Sequence, residues 1–235
     1  MPIGILPHIC EIKPFGFKDK KAQFSTRKLG FLFYYDIIMK NGDDYVKTPL
    51  RFQVTEYDCG TVSLYNAISY LFDREEIPAQ LLKTIHKYTL DCYDEEGNPG
   101  QGGTSKETVE KIAQFMTDYS NSNNFGIKCE KLDGLDVTVD KIINCVNNKG
   151  CAFVRLWLED EHYVIITNIK KDKVYIFDPY YLDKNKYKDK DVKIVLNKPF
   201  THNRVVSLKR LFSETNKDFA FGDKEKRECV LINRI

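Results

Sequence analysis

The sequence predicts an α+β fold in a single domain, with helices first along the chain and an antiparallel sheet after them. Between residues 58 and 116, apolar side chains recur at three- and four-residue spacings, whereas after residue 150 short β-rich runs alternate with charged turns. No internal repeat or linker-like segment divides the 235 residues. We therefore expect one domain over 1–235, made of an N-terminal β extension (1–50), a core (51–182) and a C-terminal segment that completes the sheet (183–235).

The first strands are expected in the N-terminal extension. Residues 30–40 are rich in aromatic and β-branched side chains, and the pair Asn41-Gly42 behind them suits the positive φ angles of a tight hairpin turn. Residues 45–52 would then form the returning strand.

Four helices are predicted next, from helical periodicity and start signals. They cover residues 59–72, 78–88, 104–116 and 140–148. Asp58 is expected to cap the first helix and Pro78 to open the second, because its fixed φ angle suits a first helical position. Thr104 and Glu107 have the spacing of a capping box for the third.

Strands dominate the remainder of the chain. β-rich runs cover residues 151–158, 162–169, 174–178 and 192–196, followed by a strand that runs into a short helix over 205–212 and a closing strand over 228–232. The lysine- and aspartate-rich stretch at 181–191 is expected to be a solvated loop.

Composition and charge exclude several function classes. Hydrophobic residues make up 42% and charged residues 30%, as in soluble globular proteins. Lys and Arg total 36 against 34 Asp and Glu, which gives no electrostatic basis for nucleic acid as the main partner. The apolar stretch at 31–39 is too short to cross a bilayer, and residues 1–16 show no secretory signal pattern. We expect a soluble, cytoplasmic protein without a nucleic-acid or membrane partner.

The cysteine pattern predicts reduced thiols and no metal site. The seven cysteines are odd in number and widely spaced, unlike those of a disulfide framework. No CxxC or HxxxH pair occurs, and the acidic, glycine-rich loop at 91–103 has neither the DxDxDG spacing of a calcium loop nor the pattern of a phosphate loop. We expect neither a metal nor another cofactor.

Cys59 is the most informative residue. It lies in the first turn of a predicted helix, where free N–H groups and the helix dipole favour the nucleophilic thiolate, and Gly60 leaves space beside the sulfur. Asp58 opposes the thiolate, so a cationic partner is needed. A helical cysteine taken alone is more often a small buried apolar residue.

His162 and Asp178 are the predicted partners of this thiol. His162 stands where an acidic turn leads into an apolar strand, which would make it both reachable and rigidly oriented. Antiparallel pairing with the following strand would carry Asp178 close to the start of that strand, where its carboxylate could orient the imidazole. Gln53, six positions before Cys59, could donate to an oxyanion together with the Cys59 backbone N–H.

Together these residues resemble the active site of papain-like cysteine peptidases. The pattern is Gln-x5-Cys-Gly, then a histidine that opens an apolar strand, then Asp-Pro sixteen positions later, and the sequence is most similar to the C39-like branch, which is named for bacteriocin-processing peptidases. The similarity extends over about residues 51–181 and includes the helix start at 103–105. It implies a bacterial cysteine hydrolase whose helical N-terminal part packs on an antiparallel sheet.

The resemblance also implies roles for individual residues. Cys59 would be the nucleophile, His162 the general base and acid, Asp178 the orienting residue and Gln53 the oxyanion donor. The expected reaction is hydrolysis of an amide bond in a peptide or protein substrate through a thioester intermediate. No ATP-binding cassette follows, unlike in transporter-linked members, so cleavage after a double-glycine leader is not expected to carry over.

Three alternatives to a peptidase remain at the level of sequence. Members of the same fold include acyltransferases, which use an amine in place of water, and deamidases, which act on a side-chain amide. A non-catalytic peptide-binding module is the third possibility, although all four predicted site residues are present.

Overall fold

An antiparallel sheet forms the centre of the fold. The computed structural model describes residues 46–184 and 187–235. In this part of the chain the strands are β1 (Ile127–Asp133), β2 (Gly150–Leu158), β3 (Asp160–Lys170), β4 (Lys173–Phe177), β5 (Lys193–Ile194), β6 (Arg204–Ser207) and β7 (Glu228–Arg234). They form one seven-stranded sheet in the order β1-β7-β2-β3-β4-β6-β5.

The longer helices come before β2 in the described chain, and helices pack on both faces of the sheet. The α-helices are α1 (Cys59–Leu71), α2 (Ala79–Tyr88), α3 (Lys106–Asn123), α4 (Val139–Asn147) and the short α5 (Leu208–Leu211), with 3₁₀ turns at Arg74–Glu76, Gly134–Asp136 and Lys224–Lys226. The four predicted helices and the strand-to-helix segment near residue 208 are confirmed, and α3 continues past its predicted end at residue 116.

The two faces of the sheet bury different layers. Along β2 and β3, successive side chains point to opposite faces. Phe153 and Ile165 join the core with α1, and Val154 and Val164 join the core with Ile142 of α4. α1 therefore packs on one face of the central strands and α4 on the other. Each fully buried large apolar side chain contributes about 1.5–3 kcal/mol to folding stability. Packing on both faces therefore stabilises the central strands of the sheet.

β7 confirms the predicted closing strand and extends it by two residues. It lies between β1 and β2 and pairs with both in antiparallel register. β1 itself was not predicted, because charged side chains at Lys128, Glu130 and Lys131 interrupt its apolar alternation. Only Ile127 and Leu132 of this strand are buried.

The predicted returning strand over 45–52 is wrong for the part that the structure describes. Residues 46–52 form no strand. Their backbone groups bond to unrelated partners instead: Leu50 N–H donates to Pro199 O, and Arg51 N–H donates to Asn66 Oδ1. Because no neighbouring strand pairs with residues 46–52, they form no ladder of β-sheet hydrogen bonds. The predicted strand at 30–40 and the turn at Asn41-Gly42 lie outside the described residues.

Two helix caps also differ from prediction. Asp58 precedes α1, but its backbone (φ −81°, ψ 0°) is not extended as a capping residue requires, and its carboxylate accepts from Thr55 N–H rather than from the helix. At α3 the cap is Ser105, whose Oγ accepts from Thr108 N–H. The predicted capping box of Thr104 and Glu107 is therefore wrong, and the cap lies one residue later, at Ser105.

Candidate active site

The first turn of α1 carries Cys59. Because the helix begins at this residue, its backbone N–H has no acceptor within the helix. Cys59 is buried, with 8% of its surface exposed. A Cβ atom on Gly60 would lie 2.8 Å from Thr104 Oγ1 and 3.4 Å from Tyr163 Cδ2. Glycine at this position therefore allows the helix start to approach the sheet closely.

Pairing of β3 with β4 brings His162 and Asp178 together. Ile165 is paired with Phe177 in the antiparallel ladder. Asp178 directly follows β4 and so comes close to the start of β3, where His162 is located. The distance between His162 Nε2 and Asp178 Oδ1 is 2.8 Å, and the residues are 7% and 0% exposed. The predicted antiparallel pairing is confirmed.

Cys59 approaches the same imidazole. The Cys59 side chain is close enough to His162 to raise the pKa of the imidazole. Since Asp178 occupies Nε2, Nδ1 is the ring nitrogen that remains for Cys59. Burial opposes the charged form of His162, but the Asp178 carboxylate and the interactions with Cys59 outweigh it and raise the pKa of the imidazole. The structure thus brings the three predicted residues to one place, in an arrangement that favours an imidazolium.

Three further residues surround Asp178. Its Oδ1 accepts from Tyr180 N–H at 2.8 Å. Asn203 holds the Asp178 backbone from both sides, accepting from its N–H at 2.8 Å and donating to its carbonyl at 2.7 Å. Arg204 Nη2 lies 3.1 Å from the second carboxylate oxygen, Oδ2. Sequence reasoning missed Asn203 and Arg204, because only the pairing of β4 with β6 brings them to Asp178.

Gln53 lies on the chain that leads into α1. Its backbone N–H donates to Pro179 O at 2.9 Å, which ties this segment to the turn after Asp178. Its side-chain Nε2 donates to Thr55 O at 2.9 Å and to Glu56 O at 3.2 Å. Gln53 Oε1 is buried without a hydrogen-bond partner in the described structure. The amide is therefore held next to the helix start, but its hydrogens face backbone carbonyls.

An aromatic rim borders the histidine. The Tyr180 ring meets the His162 ring edge-on, with centroids 6.4 Å apart. Phe52 contacts Tyr181 in the same edge-on manner, with centroids 5.5 Å apart, and all three rim side chains are exposed. Tyr180 therefore places an exposed aromatic ring beside the imidazole.

Other features of the described residues lie apart from this place. Within 46–184 and 187–235, no three His, Cys, Asp or Glu side chains come together in a way that could hold a metal ion. No helix in the same ranges is long and apolar enough to cross a membrane. A groove of about 830 Å³ opens at the outer strands and is lined by residues such as Tyr175, Lys193 and His202. None of the four predicted site residues lines it.

The mixed helical and antiparallel-sheet architecture, with a cysteine at a helix start facing a strand-borne histidine, is that of a papain-like cysteine hydrolase. Residues 45–201 match the sequence model of the Peptidase_C39 like family, and the protein belongs to this family. This confirms the family resemblance, the fold class and the enzyme class expected from sequence.

One solved structure and the curated proteins complete the comparison. The solved structure is the crystal structure of a double glycine motif protease from AMS/PCAT transporter in complex with the leader peptide. It is similar with a TM-score of 0.41 and 15% sequence identity, over 81% of this chain and 94% of that chain. None of the curated proteins compared with the chain matches it.

Proposed function

We propose that this protein is a cysteine peptidase or isopeptidase that hydrolyses an amide bond of a peptide or protein substrate through a thioester on Cys59. One observation carries the proposal: a buried imidazole, His162, lies 2.8 Å from the Asp178 carboxylate, and the Cys59 side chain is close enough to raise its pKa. Membership of a peptidase family supports an amide as the substrate group.

The charge distribution supports a thiolate–imidazolium pair as the resting state. The raised pKa of His162 means that the imidazole holds its proton at neutral pH. A proton that leaves the Cys59 thiol can therefore reside on His162, and the cation in turn stabilises the thiolate. The helix start adds a favourable dipole at the sulfur.

Acylation then follows in two bond changes. The thiolate of Cys59 attacks the carbonyl carbon of the substrate, a C–S bond forms, and the carbonyl oxygen takes the negative charge. As the C–N bond breaks, the proton on His162 passes to the leaving nitrogen. The products of this half-reaction are a free amine and a thioester on Cys59, with neutral His162.

Deacylation returns the enzyme to its starting state. Neutral His162 accepts a proton from water while the water oxygen attacks the thioester carbon. The C–S bond breaks, the carboxylic acid leaves, and Cys59 recovers its thiolate beside protonated His162. Asp178 keeps the ring oriented through both halves of the cycle.

Two donors are available for the oxyanion. The Cys59 backbone N–H lies in the first helical turn and has no acceptor within the helix. The Gln53 amide lies on the segment before the helix, and its Glu56 contact, at 3.2 Å, is the longer of its two hydrogen bonds. We propose that the oxyanion replaces Glu56 O as the acceptor for this hydrogen. A cytoplasmic location is part of the proposal and rests on the cysteine pattern of the sequence.

Replacement of the thiol tests this function. Cys59→Ala is expected to abolish cleavage of a peptide library or of an isopeptide-linked substrate, because the proposed thioester forms on the Cys59 sulfur. The matched control is Cys92→Ala, which removes a partly exposed thiol from the loop before α3 and is expected to retain full activity.

Thermal unfolding of both variants shows whether the fold is intact, and mass spectrometry of the products distinguishes hydrolysis from transfer to an amine or loss of a side-chain amide. Full turnover by a folded Cys59→Ala protein would contradict the proposal.

A further inference from the structure

Arg204 is a fully buried cation directly behind the proposed triad. It begins β6, its side chain is 0% exposed, and its Nη2 atom lies 3.1 Å from Asp178 Oδ2. The other carboxylate oxygen, Oδ1, faces His162 at 2.8 Å. Asp178 is therefore placed between two cationic side chains, one of which also contacts the nucleophile.

Backbone carbonyls fix the guanidinium in this position. Nη2 donates to Tyr180 O at 2.7 Å, and Nη1 donates to Asn203 O at 3.0 Å. These hydrogen bonds connect Arg204 to the turn that follows Asp178 and to its own strand. By contrast, Asp178 Oδ2 has no well-aligned hydrogen bond in the described structure. The interaction of Arg204 with Asp178 is thus chiefly one of charge.

The charges of the four groups explain why this cation matters. A buried carboxylate keeps its charge only when a cation compensates for the lost hydration. In the resting state, the Cys59 thiolate, the His162 imidazolium, Asp178 and Arg204 sum to zero. During deacylation His162 must be neutral, and Arg204 is then the cation that remains in contact with Asp178.

We infer that Arg204 is a positioning residue of the proposed reaction: it holds the Asp178 carboxylate in place when His162 is neutral, and it limits how strongly this carboxylate retains the imidazolium proton. This inference rests on the proposed function. A purely structural ion pair would stabilise the fold without affecting the proton on His162, so the two roles can be separated by titration.

Two alkylating reagents report the charge of His162 without any substrate. Iodoacetate is an anion, so a neighbouring imidazolium attracts it and increases its rate of reaction with the thiolate. Iodoacetamide is neutral, so the charge of the imidazole does not attract it. The rate with iodoacetate divided by the rate with iodoacetamide, measured at Cys59 by mass spectrometry on the full chain, therefore falls as His162 loses its proton. The pH at the midpoint of this fall measures the ionisation of His162 in place.

Neutral substitutions of Arg204 are expected to move this midpoint upward. In Arg204→Gln and Arg204→Met the cation is gone, Asp178 acts on the imidazolium alone, and the midpoint rises by on the order of one pH unit. Peptide turnover at neutral pH falls at least tenfold, because less neutral His162 is present to activate water. Arg204→Lys keeps the charge and retains a midpoint close to that of the wild type.

A matched control and a double variant isolate the effect. Arg210→Met removes another buried arginine, which pairs with Asp189 and Asp191 and not with Asp178, and its midpoint is expected to equal that of the wild type. When Arg204→Gln is added to Asp178→Asn, the midpoint is expected to stay where Asp178→Asn alone puts it, because the two side chains act through one interaction.

The outcomes separate this inference from the proposed function. If the wild type shows no rapid, pH-dependent reaction at Cys59, the proposed function fails. If the wild type behaves as expected but Arg204→Gln and Arg204→Met, folded by thermal unfolding, leave the midpoint unchanged or lower it, only the role of Arg204 is refuted. Should neither neutral variant fold, a shift of about one unit in Arg204→Lys would equally overturn it.

Discussion

The Gln53 amide holds its own side chain in place through hydrogen bonds, and in the proposed reaction it also donates to the oxyanion. In the free protein it donates to Thr55 O and Glu56 O, which holds it close to the start of α1. A donor that is already fixed near the developing charge needs little reorganisation when the oxyanion forms. The hydrogen bonds seen here are therefore compatible with a donor that changes acceptor during the reaction.

Removal of this amide should affect turnover but not alkylation. Gln53→Ala is expected to lower kcat by about 10²–10³, because the oxyanion loses one donor. The iodoacetamide rate at Cys59 should stay near the wild-type value, since alkylation forms no oxyanion. Gln114→Ala, which removes an exposed glutamine of α3, is the control. A parallel loss of both rates would show instead that Gln53 only supports the 55–56 turn.

The site residues differ in how far sequence alone can identify them. Cys59 and His162 have local signals, a helix start and the mouth of an apolar strand, and Asp178 follows from antiparallel pairing of neighbouring runs. Arg204 has no such signal. Its role depends on the pairing of β6 with β4 across an intervening loop and on the face of the strand to which its side chain points. Neither property can be obtained from residue type or spacing.

At the level of elements, the contact between α1 and the loop before α3 depends on Gly60. A Cβ atom there would lie 2.8 Å from Thr104 Oγ1 and 2.9 Å from Thr104 Cβ. The second contact is close to the backbone, so rotation of the threonine side chain does not relieve it. The helix start and this loop therefore fit together only without a side chain at position 60.

Gly60→Ala should destabilise the protein despite a better helix propensity. Alanine gains about 1 kcal/mol over glycine within a helix, whereas overpacking of a close contact costs about 1–3 kcal/mol. We expect a lower free energy of unfolding in urea, and a larger loss for Gly60→Ser because its side chain is bigger. Equal or greater stability of Gly60→Ala would show that Thr104 can yield.

Helices were easier to predict than their ends or the outer strands. Periodicity locates α1 to α4, since burial of one helical face leaves a regular pattern. Cap residues depend on backbone angles, which is why Asp58 does not cap α1 and Ser105 replaces Thr104 at α3. β1 has only two buried side chains and is recognisable only as the partner of β7.

At the level of the whole molecule, four desolvated thiols report on the core, three of them buried and the fourth, Cys129, partly buried. Desolvation raises the pKa of Cys129 to about 12 and that of Cys145 to about 11, and it raises the pKa values of Cys151 and Cys229 well above the ordinary value. These four lie on β1, β2, β7 and α4, so they belong to the sheet and to one helix packed on it. A thiol in this state has almost no thiolate at neutral pH.

Native-state alkylation should consequently be selective. Among the six cysteines that the structure describes, iodoacetamide at pH 7 is expected to modify Cys59 rapidly and Cys92 slowly, while the four desolvated thiols react only as urea unfolds the protein. Because they share one packed region, we expect them to become reactive together. Mass spectrometry across a urea series measures this. Modification of any of the four at native-state rates would mean that β1 or β7 opens independently.

The position of β7 has a consequence for biosynthesis. During translation, Cys59 and His162 are both made before Glu228–Arg234. This last segment, β7, fills the place between β1 and β2 in the sheet. Until that segment has been translated, the place between β1 and β2 is empty, whereas β2, β3 and β4 already have one another as partners. β1 is made before β2 but can join the sheet only through β7, so the strand order delays the completion of this edge until β7 has been made.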